Sequence, residues 1–264
     1  MKQVSQAKGM MVLKLIASIW FVLLAATQAL PVVAQDQPLS IAITDSAPPF
    51  AYRDEQGNLK GFNVDLVNAL CQQLQRKCRL EVLRFPEVIA AVSSSRFDLG
   101  VANTLRTPER DKLVRFSRVI WRSTSSLIGL RELGGAQRDT LLTREQTCAI
   151  TGSRQFSWLG EHAKKPPLAA GGNAELLGLL SQQRCALALM PTQQALAFLQ
   201  GSDGQRFGFI GAPLGDSGLG GDVHIALRPG NDNLKKQVDA ALDAMIRDGT
   251  HERLTRRHFP YSIL

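Results

Sequence analysis

The chain has 264 residues, 31 Lys and Arg against 23 Asp and Glu, a formal net charge of +8 and four cysteines. The bases are scattered, with one dense cluster at residues 253–257 that reads as the solvated end of a helix, so charge alone does not argue for nucleic acid. No stretch offers 18 consecutive apolar residues, which argues against a bilayer-spanning helix.

Residues 1–34 contain no Asp or Glu, and Lys2, Lys8 and Lys14 flank the start of a 12-residue apolar run at 15–26. The run is too short to span a bilayer comfortably but suits a secretory leader, with Val32-Val33-Ala34 at the cleavage positions. The alternative, an uncleaved anchor, is disfavoured by the same length. No cysteine stands near the cleavage point to carry a lipid. Removing 34 of the 264 residues leaves 230, and 28 basic residues against 23 acidic give a mature charge of +5. That size allows one large or two modest domains. An even number of cysteines in an exported chain favours two disulfides. Cys71 and Cys78 can meet across a tight connection, while Cys148 and Cys185 each begin an expected strand. There is no CxxC and no His at ligand spacing, so a metal site is not expected.

Short apolar strands alternate with helical segments, the α/β signature. Residues 39–44 read as a strand and 54–58 as a turn around Gly57 and Asn58. Residues 62–75 carry apolar positions at helical spacing. A strand at 80–83, a short helix at 86–94 and a strand at 98–102 complete a βαβαβ unit. A second unit is expected after the polar, glycine-rich stretch 131–138: strand 147–151, a helix from about 152–155, helix 174–182, strand 185–190 and a helix from Pro191. Residues 211–221 hold five glycines, as a flexible loop or a crossing between domains. Strand 223–227 and an amphipathic helix at 233–245 follow.

Three separated segments carry a resemblance. The run FAYRDEQGNLKGFNVDL at 50–66, the run FDLGVANTLRTPER at 97–110 and the run DAMIRDGTHERL at 243–254 with Phe259 behind it resemble the family 3 extracellular solute-binding proteins, the polar amino-acid receptors of ABC importers. The Cys71–Cys78 pair also has a counterpart in some members. The resemblance implies a two-lobed periplasmic-binding-protein fold of type II. The first lobe would comprise 35–124 and 222–264, the second would be inserted at 125–221, and strands near 122–126 and 219–223 would form the hinge.

The resemblance also implies the ligand contacts. Arg110 falls where the family grips the ligand α-carboxylate, a task that suits a guanidinium fork. Asn103 and Leu105 fall on the binding loop, Leu105 able to offer only its backbone. Phe85 corresponds to a wall of the site, or else to an ordinary core aromatic. Thr44 ends the first strand and joins this set. Gly152-Ser153-Arg154-Gln155 matches a loop opening a helix, where free N–H groups suit an anion. Arg154 replaces a hydroxyl residue and either adds a second cation or points to solvent. The usual aromatic lid is Ala47 here. The acid that holds the ligand ammonium falls at Pro191 or Thr192, and Asp45, Glu87 or Asp222 are the candidate substitutes. A carboxylate without an amine, or an acidic ligand using both Arg110 and Arg154, fits these charges better than a standard α-amino acid. Among the four histidines, only His224 lies near a hinge strand, and a structural role is expected of it.

The expected function is ligand delivery to an inner-membrane ABC permease by a periplasmic monomer, without cofactor, metal, nucleic acid or catalytic residues. Two alternatives stay open: a cyclohexadienyl dehydratase-like enzyme, disfavoured because no carboxylate stands at a motif position of the cleft, and an accessory or signalling receptor without a permease.

Overall fold

The computed structural model describes residues 37–215 and 218–264. The expected secretory leader, residues 1–34, and the expected cleavage point before Gln35 lie outside the described residues, as do positions 216 and 217 of the glycine-rich stretch.

Strand β1 (Leu39–Ile43) has Ile41, Ala42 and Ile43 fully buried, the apolar run of a strand covered on both faces. A three-stranded hairpin sheet follows: β2 (Ser46–Ala47), β3 (Ala51–Arg53) and β4 (Leu59–Lys60). Its turn closes because Asp54 Oδ1 accepts the N–H groups of Gln56 and Asn58. Helix α1 (Phe62–Gln73) starts on Gly61, whose φ of 116° lies in the left-handed region. A Cβ there would stand 2.5 Å from the Phe50 carbonyl oxygen, so only glycine fits.

Strand β5 (Cys78–Val82), α2 (Phe85–Ser93), β6 (Leu99–Leu105), α3 (Pro108–Asp111) and β7 (Arg115–Ser123) complete the first pass through lobe one. Lobe two holds β8 (Ser125–Leu130), α4 (Arg138–Arg144), β9 (Thr147–Ile150), α5 (Arg154–His162), β10 (Leu168–Ala170), α6 (Asn173–Ser181), β11 (Leu187–Pro191), α7 (Thr192–Gln200) and β12 (Phe207–Phe209). The chain then returns through β13 (Gly221–Leu227), α8 (Asp232–Arg247) and α9 (Thr250–His258).

The first sheet has the order β5-β1-β6-β13-β7, with β13 antiparallel to both its neighbours. The second runs β10-β9-β11-β8-β12. A hydrophobic core lies under each. In the first, Phe50 stacks on Trp121 at 4.4 Å and meets Phe259 at 5.1 Å, tying the hairpin, β7 and the C-terminal segment together. The stripe Leu234, Val238, Ala241, Leu242 and Met245 on α8 is buried there as its spacing requires. Disulfides join Cys71 to Cys78 and Cys148 to Cys185, with Cα atoms 6.2 and 5.9 Å apart.

Only Thr124 separates β7 from β8 on the way out. On the way back, Leu214 bridges to Ser125, and Gly221 pairs with Ser123. Buried polar groups lock the crossing: Gln155 Nε2 donates to Ser125 Oγ at 2.8 Å, and Ser125 Oγ donates to the Leu219 carbonyl at 2.6 Å. The second sheet therefore begins with β8, ahead of the 131–138 stretch where the sequence pattern had placed its start. The reason is physical. Ser117, Ser123, Ser125 and Ser126 are buried, so the inward positions of β7 and β8 read as polar and break the period-two signal.

Candidate functional site

The ends of β1, β6, β9, β10 and β11 converge on a cavity of about 420 Å³ between the two sheets. Carboxyl ends of parallel strands are where open α/β sheets place ligands. Thr44, Phe85, Asn103, Leu105, Arg110, Ser153 and Arg154 all line it.

Arg110 is set by α3, whose N-cap Thr107 accepts the Arg110 N–H at 3.3 Å. Its Nη1 donates to the Leu105 carbonyl at 2.7 Å and its Nη2 to the Gly152 carbonyl at 3.0 Å, across the cleft. The guanidinium also sits 5.8 Å from the Phe85 ring centroid, a cation–π contact. Phe85 is thus a partly buried wall of the cavity. Burial, then the like charge of Arg154, pull the Arg110 pKa down, with Glu109 opposing.

Asn103 holds φ at +56°, and its Oδ1 accepts from the fully buried Asn63 at 3.0 Å. Leu105 contributes its carbonyl to Arg110. Ser153 caps α5: its Oγ accepts the Phe156 N–H at 3.1 Å and donates to the Ile150 carbonyl at 2.6 Å. That hydroxyl is already committed. Arg154 is half-buried, and its Nε donates to the Gly218 carbonyl at 3.4 Å. Thr44 Oγ1 is buried with no hydrogen-bond partner.

Sequence reasoning missed Asn173 and Glu175 at the start of α6. Asn173 is 3% exposed, lines the cavity and has an unpartnered Oδ1. Glu175 lies on the exposed rim and accepts the Gly171 N–H at 2.7 Å. The pair Gly171-Gly172 ahead of a polar residue was the available signal, but the three residues of β10 before it were too few to read.

Of the candidate substitutes Asp45, Glu87 and Asp222, the first two line the cavity, and Glu175 joins them there. Loops and first helical turns supply them, positions that no motif marks. Asp45 is paired with Arg53 at 2.7 Å. Glu87 is paired with Arg84 at 3.0 Å, whose hydrogen bonds hold its carboxyl below the ordinary range. Asp222 pairs with Arg122 and borders a separate surface depression. Pro191 lines the cavity at the end of β11, while the Thr192 hydroxyl is held by Thr124 and Ser126 at 2.8 and 2.9 Å. No acid stands at either position. Ala47 lines the cavity as a small side chain. His224 is buried against the Ser117 carbonyl at 2.7 Å, away from this cavity. Among the described residues, no cluster of three or more metal-ligating side chains occurs.

Across the cleft Gly172 faces Ser46 and Gly152 faces Pro86, so the lobes meet around the cavity. Two lobes, a double crossing and a polar-anchored cavity between them define a two-lobed solute-binding protein. The profile of the bacterial extracellular solute-binding proteins, family 3, matches residues 39–261, and the chain belongs to that family. It is 26% identical over 246 residues to the L-arginine-binding protein of Pseudomonas aeruginosa, covering 89% of this chain and 93% of that one. It is 25% identical over 245 residues to the lysine/arginine/ornithine-binding periplasmic protein of Escherichia coli K12, covering 90% and 94%. In structure it is similar to an ancestral arginine-binding protein bound to arginine, with a TM-score of 0.79 and 23% identity over 86% of this chain and all of the other, a likeness of fold.

Proposed function

We propose that the protein captures a small carboxylate-bearing ligand in the periplasm and delivers it to an ABC permease. The observation that carries this reading is Arg110, half-buried in the cavity wall with no carboxylate partner among the described residues and donors left over after two carbonyl bonds. A guanidinium so placed lowers its free energy by meeting a carboxylate. The unpartnered Thr44 Oγ1 and Asn173 Oδ1 on the same wall call for a ligand that is polar beyond its carboxylate.

In this reading residues 1–34 are a cleaved leader, the lobes are 35–124 with 222–264 and 125–221, and the protein acts as a monomer that closes about its two crossings. It performs no chemistry of its own. Asp45 and Glu87 are tied to Arg53 and Arg84 within the first lobe, an arrangement suited to fixing local structure rather than to moving protons.

A thermal-shift screen of the mature protein against amino acids, dicarboxylates and aromatic acids tests the proposal, because a ligand of the native state raises its melting temperature. A hit whose shift disappears in Arg110→Gln supports it. A hit that responds equally in Arg110→Gln removes the carboxylate anchor, and turnover of prephenate-like compounds by the purified protein removes the non-enzymatic reading.

A further inference from the structure

The charge arrangement in the cavity is asymmetric. Three arginines line it, and Arg84 is already neutralised by Glu87 at 3.0 Å. Arg110 and Arg154 make no ion pair with any described carboxylate; their recorded partners are the carbonyls of Leu105, Gly152 and Gly218. They line the same cavity, and both are half-buried. Two desolvated cations in one cavity cost free energy unless an anion meets both.

The position of Arg154 strengthens the point. It is the first residue of α5, directly after the Ser153 cap, where a positive side chain opposes the helix dipole. The start of the same helix borders the cavity through Ser153, Arg154 and Gln155, where its dipole favours negative charge. Exposed Glu109, the carboxylate whose charge reaches Arg154, makes no ion pair with it, so an anion in the cavity would still meet an unpaired cation.

We propose that the ligand is a short diacid, with one carboxylate on Arg110 and the second on Arg154. This rests on the carboxylate-binding reading above and names its substrate class. Arg154 is then the residue that discriminates a diacid from its neutral isostere. Arg110 alone would bind both.

Isothermal titration with two isosteric pairs tests this: glutarate against its monoamide, and L-glutamate against L-glutamine. Within each pair size is constant and one charge is removed. The expected result is that a diacid binds about ten- to a hundredfold tighter than its amide, the range one charge-assisted contact supports. Arg154→Gln should erase that preference by weakening the diacid more than the amide, while Arg110→Gln weakens both members. Arg154→Gln removes the cation from the helix start, so its melting temperature should be equal or higher, which separates lost recognition from lost folding. Equal binding of acid and amide in both pairs, or a preference that survives Arg154→Gln, overturns the diacid. Binding of a monocarboxylate but of none of the four compounds also overturns it and leaves the Arg110 anchor standing. Binding that is indifferent to Arg110→Gln overturns the anchor itself.

Discussion

Arg110 of the first lobe donates through Nη2 to the Gly152 carbonyl of the second at 3.0 Å. The side chain proposed to grip the ligand therefore also joins the two walls of the cavity. A charge-assisted bond to a neutral carbonyl contributes about 1.5–3 kcal/mol, enough to shift an open–closed equilibrium by roughly ten- to a hundredfold. In the absence of ligand, Arg110→Ala should populate the open form, read as a larger radius of gyration in small-angle scattering. An unchanged scattering profile would mean that the lobes are held by other contacts.

Cationic amino acids should bind poorly, in contrast to what the names of the relatives say of those proteins. Of the carboxylates that line the cavity, Asp45 and Glu87 already hold Arg53 and Arg84, and Glu175 on the exposed rim accepts the Gly171 N–H. A basic ligand would have to break one of these contacts while facing Arg154. L-arginine and L-lysine should give no thermal shift at concentrations where a carboxylate hit gives several degrees. A clear shift with arginine would show that one of these three carboxylates is released to meet the ligand's cation.

The two disulfides should differ in weight. The bridges close loops of 7 and 37 residues, and the chain-entropy relation gives about 2 kcal/mol for the shorter and about 4 kcal/mol for the longer. Replacing Cys148 and Cys185 with Ala should lower the urea midpoint more than replacing Cys71 and Cys78. The reverse order would place the stabilisation in native packing instead of the unfolded chain.

Acid should loosen the contact between α1 and α9. Burial acts to raise the Asp65 pKa, but hydrogen bonds from His258 and Arg257 outweigh it and hold the carboxyl below the usual carboxylate range. A depressed pKa gives stability that is full above the unfolded value and lost as pH falls through the folded one. The urea midpoint of Asp65→Asn should lie below that of the unaltered protein at neutral pH, and the two should converge as pH falls below the usual carboxylate range. A constant gap across that range would show that the contribution is not electrostatic.

The elements built on apolar runs were legible in the sequence: β1, α1 and the α8 stripe end within a few residues of their expected limits. The seven residues expected at the site lie around one cavity: Asn103, Leu105 and Arg110 come from one motif segment, Ser153 and Arg154 from a helix start, and Thr44 and Phe85 from the end of β1 and the start of α2. What was hidden has common causes. Buried serines disguised β7 and β8, since hydrogen bonds such as Ser125 to the Leu219 carbonyl pay their burial cost only once the sheets are crossed. Asn173 and Glu175 follow a strand of three residues, and Gly172 approaches Ser46 only in three dimensions. Pair partners such as Arg53 for Asp45 decide whether a cleft acid is free, and sequence separation does not announce them.

Strand β13 fills the gap between β6 and β7, yet it is reached only after all of β8 to β12. During synthesis or export the second lobe has its five strands in hand while the first still lacks an interior one. The later-completed sheet must wait with two edges apart, and β6 and β7 can zip to β13 only when almost the whole chain has arrived. Assembly order thus runs opposite to chain order: the inserted lobe can be finished first, and the lobe that starts the chain is sealed last, by the segment that also brings α8 and α9.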